Sequence, residues 1–236
     1  MFMFQHIKES MESFCLTASR RIKMKVEWTG EQNLLTRKPI VGDPLSDTTA
    51  AAIREWKDRC DISQSETHTI CSRPSPKFLP TRLLEIVRVD DDQKPFVKLV
   101  DAKSLGEDIE YTALSYCWGG NLKNCLKESN KDSYRTEISW DDIPKTIQDA
   151  ILTSHKLKIG FIWVDSLCII QDSKQADKEI EIGQMTQVYT HAALTIAARR
   201  APDAHTGFLH EITSLWNDHR GLPQRRWYKK AMHIDL

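Results

Sequence analysis

The sequence predicts an α/β fold in which a parallel β-sheet is flanked by helices. From residue 111 onward, short apolar runs alternate with segments of helical period, in the order strand, helix, strand, helix, strand. The apolar runs are nearly continuous, which is typical of parallel strands that helices cover on both faces. A hydrophobic content of 40% with seven Trp in 236 residues suits a globular core.

The first part of the chain lacks such a pattern. Residues 1–50 show no sustained periodicity and are interpreted as a variable, irregular N-terminal extension. The stretch TTAAAIREWKDRC, residues 48–60, predicts a helix that Thr48 or Thr49 caps. The predicted apolar face of this helix consists of Ala52, Ile53 and Trp56.

Two strand-like runs come next. Residues 81–89 (TRLLEIVRV) and 96–102 (FVKLVDA) flank the turn-rich spacer DDDQKP, so they predict a small antiparallel strand pair. The predicted organisation therefore has three regions. These are a variable segment over 1–50, a lead-in helix and strand pair over 51–110, and a core over 111–236.

The predicted core alternates three strands with two helices, at residues 111–120, 143–158, 161–170, 174–192 and 193–198. Pro144 fits the first turn of the first helix, where its missing N–H does no harm, and Gly160 ends that helix. The second helix carries an apolar stripe formed by Ile182, Met185, Val188 and Tyr189. We expect the connections between the strands to be right-handed crossovers.

Composition argues against several classes of function. The 33 basic and 33 acidic residues balance, so no overall field favours a nucleic-acid partner. No apolar run reaches the roughly 18–20 residues that a membrane span needs. The N-terminal stretch MFMFQHIKESMESF lacks the apolar core of a secretory signal, so a cytoplasmic location is expected.

The six cysteines are scattered and contain no CxxC pair, which indicates reduced thiols in such a compartment. Cys60, His68 and Cys71 have the spacing C-x7-H-x2-C, which suggests a zinc site. Structural zinc needs four ligands at tighter, paired spacings, and no fourth ligand is evident. The sequence therefore predicts no metal site.

The carboxyl ends of the three predicted core strands give the candidate site, because ligands of open parallel sheets bind beyond those ends. Glycines allow close approach of a ligand, arginines suit phosphate, and acids suit ribose hydroxyls, so a nucleotide-like ligand is chemically sensible. The candidate ligand-binding residues are Ser115, Trp118, Gly119, Gly120, Asp165, Cys168, Gln171, Asp172 and Arg199, with Arg200 beside them.

Each candidate has a structural alternative. Asp165 lies within an apolar run, and it could anchor the sheet by accepting hydrogen bonds from the backbone or from Ser115. Cys168 fits a small buried side chain as well as a nucleophile, and Trp118 and Trp163 fit core packing as well as ligand stacking. The Gly119–Gly120 pair is a weak phosphate signal because it lacks the known glycine-rich spacings.

Several stretches resemble, in order, the successive blocks of the fungal heterokaryon-incompatibility (HET) domain. They are YTALSYCWGG, IPKTIQDAI, FIWVDSLCIIQDS, DKEIEIGQMTQVYTHAALTIAA and the GF pair at 207–208. The upstream AIREWKDRC and LPTRLLEI also resemble the lead-in that is common in this family. The resemblance covers residues 51–208.

The resemblance implies a fungal, cytosolic effector of non-self recognition that triggers programmed cell death when different hyphae fuse. It also implies a flavodoxin-like α/β sandwich that is distantly similar to Toll/interleukin-1 receptor (TIR) domains. Some TIR-like domains cleave NAD with a glutamate on a helix, so NAD is a possible substrate, while no cofactor is expected.

The C-terminus departs from the family pattern, which continues with a block similar to R-x-W-x-x-Q-E. The nearest stretch is QRRWYKKAMHIDL, in which Arg225 and Trp227 match while Lys230 and Ala231 replace the expected Gln and Glu.

Three hypotheses therefore stand. One is a signalling module that self-associates or binds a protein partner. Another, the third hypothesis, is a degenerate, inactive fragment. The second is an NAD-cleaving hydrolase with Asp165 and Asp172 as the catalytic candidates; the missing Glu at position 231 argues against it.

Overall fold

A five-stranded sheet with helices around it forms the centre of the described chain. The structure, a computed structural model, describes residues 43–62, 78–89, 94–106, 108–173 and 176–210. The strands are β1 (Arg82–Val89), β2 (Pro95–Asp101), β3 (Thr112–Ser115), β4 (Phe161–Trp163) and β5 (Leu194–Ala197). The α-helices are α1 (Asp47–Ile62), α2 (Lys131–Thr136), α3 (Lys145–Lys156), α4 (Asp165–Cys168) and α5 (Ala176–His191). Two short 3₁₀ turns cover Ala102–Ser104 and Trp140–Asp142.

The strand order is β2-β1-β4-β3-β5. Strand β3 pairs in parallel with β4 on one side and with β5 on the other, which confirms the predicted parallel core. The predicted antiparallel pair of β1 and β2 is also confirmed. Because β1 continues the sheet by pairing antiparallel with β4, the protein has one mixed α/β sheet.

The two longer core helices lie on opposite faces of this sheet. The Thr112 hydroxyl on β3 bonds Ser154 of α3 over 2.6 Å, and Thr112 is in register with Ile162 of β4. The next β4 residue, Trp163, packs edge-on against Tyr189 of α5 with ring centroids 5.7 Å apart. Since successive strand side chains alternate between faces, α3 covers one face and α5 the other.

The strand order β4-β3-β5 creates a topological switch point between β3 and β5, because the chain first moves from β3 to β4 and then returns past β3 to β5. The chain leaving β3 returns through α3 on one face, and the chain leaving β4 returns through α5 on the other. Open α/β sheets bind ligands in the crevice at such a point, beyond the carboxyl ends of the strands. A ligand is therefore expected near the loops that follow the parallel strands β3, β4 and β5.

Apolar side chains from all five strands and the two long core helices fill the interior. Residues that are fully buried include Leu84, Leu114, Ile151, Ile162 and Trp163. Trp163 therefore packs in the core, although its Nε1 has no hydrogen-bond partner among the described residues. Burial of this kind supplies the main favourable free energy of folding.

Helix α1 differs from its prediction in cap and face. It begins at Asp47, and the Ser46 Oγ accepts the N–H of Thr49 at 3.3 Å, so Ser46 rather than either threonine caps the helix. Trp56 is 59% exposed, whereas Ala50 is buried against Leu157 and Ile159. Ile53, which belongs to the predicted face, packs against the same cluster, so the buried face of α1 contains Ala50 and Ile53 but not Trp56.

The ends of the core elements also differ from the predicted ends. Pro144 stands at the N-cap of α3 rather than inside its first turn, and the helix ends at Lys156, before Gly160. Strand β4 has only three residues and does not reach 170. After Val164 the chain forms the single turn of α4, in which the N–H groups of Leu167 and Cys168 bond the Val164 carbonyl. Asp165 therefore begins a helical turn and does not lie inside a strand.

Candidate functional site

The loops that follow β3, β4 and β5 meet at one edge of the sheet, and we call this edge the rim (residues 116–126, 164–173 and 198–207). The first and third loops are joined by the Ala204 N–H, which donates to the Trp118 carbonyl at 3.3 Å. The first and second are joined through Leu126, whose N–H donates to the Ser166 carbonyl and whose carbonyl accepts the Gln171 N–H, both at 2.8 Å. The rim is therefore a continuous, hydrogen-bonded surface.

Asp165 lies at the carboxyl end of β4, beside the loop that follows β3. Its Oδ2 accepts the indole N–H of Trp118 at 3.0 Å, and its Oδ1 accepts the N–H of Ser166 at 2.6 Å. The side chain remains partly exposed. Ser115, a predicted alternative partner, makes no hydrogen bond to Asp165 in the described part of the chain, so the first loop reaches the carboxylate through an indole.

The surroundings of Asp165 change its acidity. Burial raises the pKa of its carboxyl from 3.8 to about 6, and the hydrogen bonds from the Trp118 indole and the Ser166 N–H offset part of that effect. Burial and the Asp165 charge raise the pKa of the Tyr116 hydroxyl well above its usual value, and this hydroxyl donates to the Ser166 Oγ at 2.8 Å. A carboxyl that titrates near pH 6 can exchange protons under physiological conditions, as a general acid or base must.

Gln171 and Asp172 hold the second loop in place. The Gln171 Nε2 donates to the carbonyls of Asp165 at 3.1 Å and Ile169 at 2.9 Å, which braces the turn of α4. The exposed Asp172 accepts the N–H of Glu128 on its Oδ1 at 2.9 Å, which ties this loop to the end of the first. Both side chains therefore position the rim.

Cys168 is enclosed below the rim. It is 1% exposed, and its Sγ accepts the Val164 N–H at 3.5 Å. Burial raises the pKa of the thiol to about 12, so the reactive thiolate is essentially absent at neutral pH. This environment fits a small packing side chain better than a nucleophile.

The two rim glycines have different surroundings. Gly119 has φ +76°, and a Cβ placed on it would lie 2.2 Å from the Cβ of Asp203, so the close approach of the third loop requires glycine there. Gly120 has φ +153° and open space around it. Arg199 follows β5 and is exposed, and its N–H bonds the Ala197 carbonyl. Of the candidate residues on the rim, Asp165 is partly exposed, and the exposed ones are Gly119, Gly120, Asp172, Arg199 and Arg200.

A second carboxylate, which the sequence reasoning missed, lies on the opposite side of the third loop. Asp149 of α3 is 1% exposed, and its Oδ2 accepts the N–H groups of Phe208 at 2.7 Å and Leu209 at 3.0 Å. Its Oδ1 pairs with Lys145. This contact joins the IPKTIQDAI stretch to the GF pair. The available signal was an acid directly before Ala150 and Ile151, which both lie on the buried face of the helix.

An ion pair between Arg82 of β1 and Glu181 of α5 was also missed. The Nη2 of Arg82 lies 3.3 Å from the Oε1 of Glu181, and the two side chains are 5% and 3% exposed. The Arg82 Nε donates to the Cys168 carbonyl at 2.7 Å, so one side chain links β1, α4 and α5. The signal was Glu181 at helical spacing from Met185 and Val188.

The described residues contain no group of three or more His, Cys, Asp or Glu side chains that could hold a metal ion. His68 and Cys71, which belong to the C-x7-H-x2-C spacing, lie outside the described residues. Within the same described ranges, no helix is both long and apolar enough to cross a membrane.

Comparison with known proteins gives one match. Residues 111–233, more than half of the 236, match the family model described as heterokaryon incompatibility protein (HET). The match begins at the start of the β3 block and extends past residue 208 through Arg225 and Trp227, which lie outside the described residues. Neither the curated proteins nor the solved structures gave a significant match. The chain belongs to the heterokaryon incompatibility (HET) family.

Proposed function

We propose that this protein is an effector module of fungal non-self recognition, in which the rim is the working surface that leads to programmed cell death. Membership of the HET family supports the biological setting. The observation that carries the proposal is the hydrogen bond between Trp118 and Asp165 at the carboxyl ends of the adjacent parallel strands β3 and β4. It joins two family-like blocks that are far apart in sequence, at the part of an α/β sheet where ligands bind.

The exposed part of the rim suits recognition of a polar partner. Gly120 leaves room for a close approach, Arg199 supplies an exposed positive charge, and Asp165 supplies a carboxylate that titrates near pH 6. Such a surface can receive a protein partner, a second copy of the chain or a nucleotide. In each case Asp165 is the charged group at its centre.

The test is inducible expression in a fungal host. We expect the wild-type protein to arrest growth and Asp165→Asn to lose this effect, because the charge at the centre of the rim is removed. Lys103→Ala is the matched control, since Lys103 is exposed on a 3₁₀ turn and is expected to leave arrest unchanged. Unimpaired growth with the wild-type protein at confirmed levels would contradict the proposal. If Asp165→Asn arrests growth as strongly as the wild type, the rim is not the surface that causes the arrest.

A hydrolase that cleaves NAD is the second candidate, and the pKa of Asp165 is the observation that favours it. A partly exposed carboxyl beside an indole can orient the ribose hydroxyls of a dinucleotide while the indole stacks on a ring. Of the two sequence candidates, Asp165 fits this role better than Asp172, whose Oδ1 already holds the Glu128 N–H.

Release of nicotinamide from NAD by the purified protein tests the enzymatic candidate. We expect turnover above a heat-denatured control, and loss of turnover in Asp165→Ala. A folded protein without turnover contradicts the hydrolase while leaving the effector proposal to the growth assay. A folded protein that neither turns over NAD nor arrests growth would favour the third hypothesis, the inactive fragment.

A further inference from the structure

A basic cavity lies at the amino end of β4, which is the opposite end of the parallel strands from the rim. Its volume is about 490 Å³, within the range of sites that hold small ligands. The end of α3, the connection to β4 and the first turns of α1 bound it. The described residues that line it include four basic side chains and one carboxylate, namely Arg54, His155, Lys156, Lys158 and Asp47.

Arg54 is held in place by the end of α3. Its Nη1 donates to the Lys156 carbonyl at 2.8 Å, and the other guanidinium N–H groups make no hydrogen bond to another described residue. The Lys156 ammonium lies 2.6 Å from the Oδ1 of Asp47, whose side chain is 93% exposed. This bond to Lys156 lowers the pKa of the Asp47 carboxyl, which therefore stays ionised and offsets one of the positive charges. Among the described lining residues, the one carboxylate is paired with Lys156, so Arg54 and Lys158 give the cavity an excess of positive charge.

Lys158 has a backbone conformation that a lysine adopts only under strain. Its φ is +63°, and no other residue besides glycine has a positive φ in the described part of the chain. The position closes α3, with the Lys158 N–H donating to the His155 carbonyl at 2.9 Å and the Ile159 N–H donating to the Ser154 carbonyl at 3.0 Å. Glycine is the usual residue at such a left-handed helix end. The backbone therefore gives no reason for lysine here.

Compensation of the helix dipole does not account for this set of charges. Basic side chains commonly complement the negative end of a helix, and His155 and Lys156 stand in the last turn of α3. The carbonyls of Ser154, His155 and Lys156 already accept hydrogen bonds from Ile159, Lys158 and Arg54. The carbonyl end is satisfied, yet Lys158 adds a further charge at a strained position.

We propose that this cavity binds an anion that carries several phosphate groups, with Arg54 and Lys158 as its main contacts. Arginine supplies paired donors to phosphate oxygens, and lysine supplies a point charge. Two sources share this chemistry, namely a soluble inositol polyphosphate and the headgroup of a phosphoinositide. The proposal concerns the amino edge of β4 and does not rest on the function proposed for the rim.

The test uses the full chain in two binding assays at about 0.15 M salt. One titrates inositol hexakisphosphate by calorimetry. The other measures sedimentation with phosphatidylcholine vesicles that contain a phosphoinositide bisphosphate, against vesicles without it. Binding in the first assay alone identifies a soluble ligand, whereas binding in the second identifies a headgroup, and both support the site.

Lys158→Gly is the decisive variant because it removes the charge and relieves the backbone strain together. We expect its affinity for the bound probe to fall about tenfold while its melting temperature stays equal or rises. Lys158→Arg should retain affinity, and Lys103→Ala, at an exposed lysine outside the cavity, should match the wild type. The proposal is overturned if the wild type binds neither probe, or if Lys158→Gly binds as tightly as the wild type.

Discussion

Asp149 and Asp165 are carboxylates in two neighbouring stretches of the HET family, yet the fold gives them opposite surroundings. Asp149 is fully buried and accepts two backbone N–H groups and a lysine. Asp165 is partly exposed and accepts one indole N–H and one backbone N–H, and no basic side chain among the described residues forms an ion pair with it. The first is completely compensated, and the second is not.

The difference indicates which carboxylate serves folding and which is available for function. Asp149 docks the segment around Phe208 onto α3 and leaves no room for a ligand, because even a Cβ added to Gly207 would lie 2.7 Å from its Oδ2. Asp165 has a raised pKa because burial outweighs its hydrogen bonds, and folding alone does not require such a group. Proteins tolerate destabilising groups mainly where they use them.

The largest loss of stability is expected when Asp149, the compensated carboxylate, is replaced. Asp149→Ala leaves the N–H groups of Phe208 and Leu209 without an acceptor, at about 1–3 kcal/mol each, so we expect a total loss of about 4 kcal/mol in the free energy of unfolding. Urea denaturation measures it. Asp141→Ala is the control, because the Asp141 side chain is 80% exposed and its pair with Lys94 should be worth less than about 1 kcal/mol. Equal losses in both variants would show that Asp149 is not the anchor.

A smaller loss is expected on the other side of the same contact. Gly207 has φ +76°, and an added Cβ would lie 2.7 Å from the Oδ2 of Asp149, so Gly207→Ala should cost about 2–3 kcal/mol. Gly106→Ala separates the strain of a positive φ from the clash with Asp149. Gly106 has φ +88° with nothing within 4 Å of an added Cβ, so this variant should lose only about 1 kcal/mol. The same denaturation experiment compares them. If the two variants lose equal stability, the contact with Asp149 contributes nothing.

Sequence periodicity was sufficient to predict the sheet but not the carboxylate contacts. The three parallel strands follow from apolar runs whose period is local, and each was assigned from its own residues. The partners of Asp149 stand about 60 residues further along the chain, at Phe208 and Leu209. No local pattern encodes such a pair, so the anchor could not be predicted without the tertiary structure.

The environment of Asp165 was predicted in part. The rule that strand ends form one site correctly placed Asp165 near the loop that contains Trp118. The unbroken apolar run FIWVDSLCII favoured a longer strand, because periodicity does not distinguish a strand from a single buried helical turn. The Asp165 side chain accepts the N–H of Ser166, which stabilises the turn of α4. The Gln171 side chain donates to the Asp165 carbonyl and stabilises the same turn, but the local sequence pattern does not indicate this contact.

The smallest effect, and the sharpest measure of the difference, is the pH dependence that Asp165 gives to stability. Its pKa is 3.8 in an unfolded chain and about 6 in the fold, so between these values the native state holds a proton that the unfolded chain has lost. Stability should therefore fall as pH rises through this window and level off above it. A shift of two units corresponds to about 3 kcal/mol, and partial exposure reduces the expected fall to about 1–2 kcal/mol.

Urea denaturation of the wild type and of Asp165→Asn at about pH 4 and about pH 7 isolates this contribution, because all other titrating groups are common to both proteins. The variant should gain about 1–2 kcal/mol relative to the wild type between the two pH values. Loss of the Trp118 bond in the variant shifts both measurements equally and does not change their difference. A difference that stays constant with pH would mean that folding leaves the pKa of Asp165 unchanged, and a difference that falls as pH rises would mean that the fold favours the ionised carboxylate. The rim would then be as well compensated as Asp149, and its claim to a functional charge would fail.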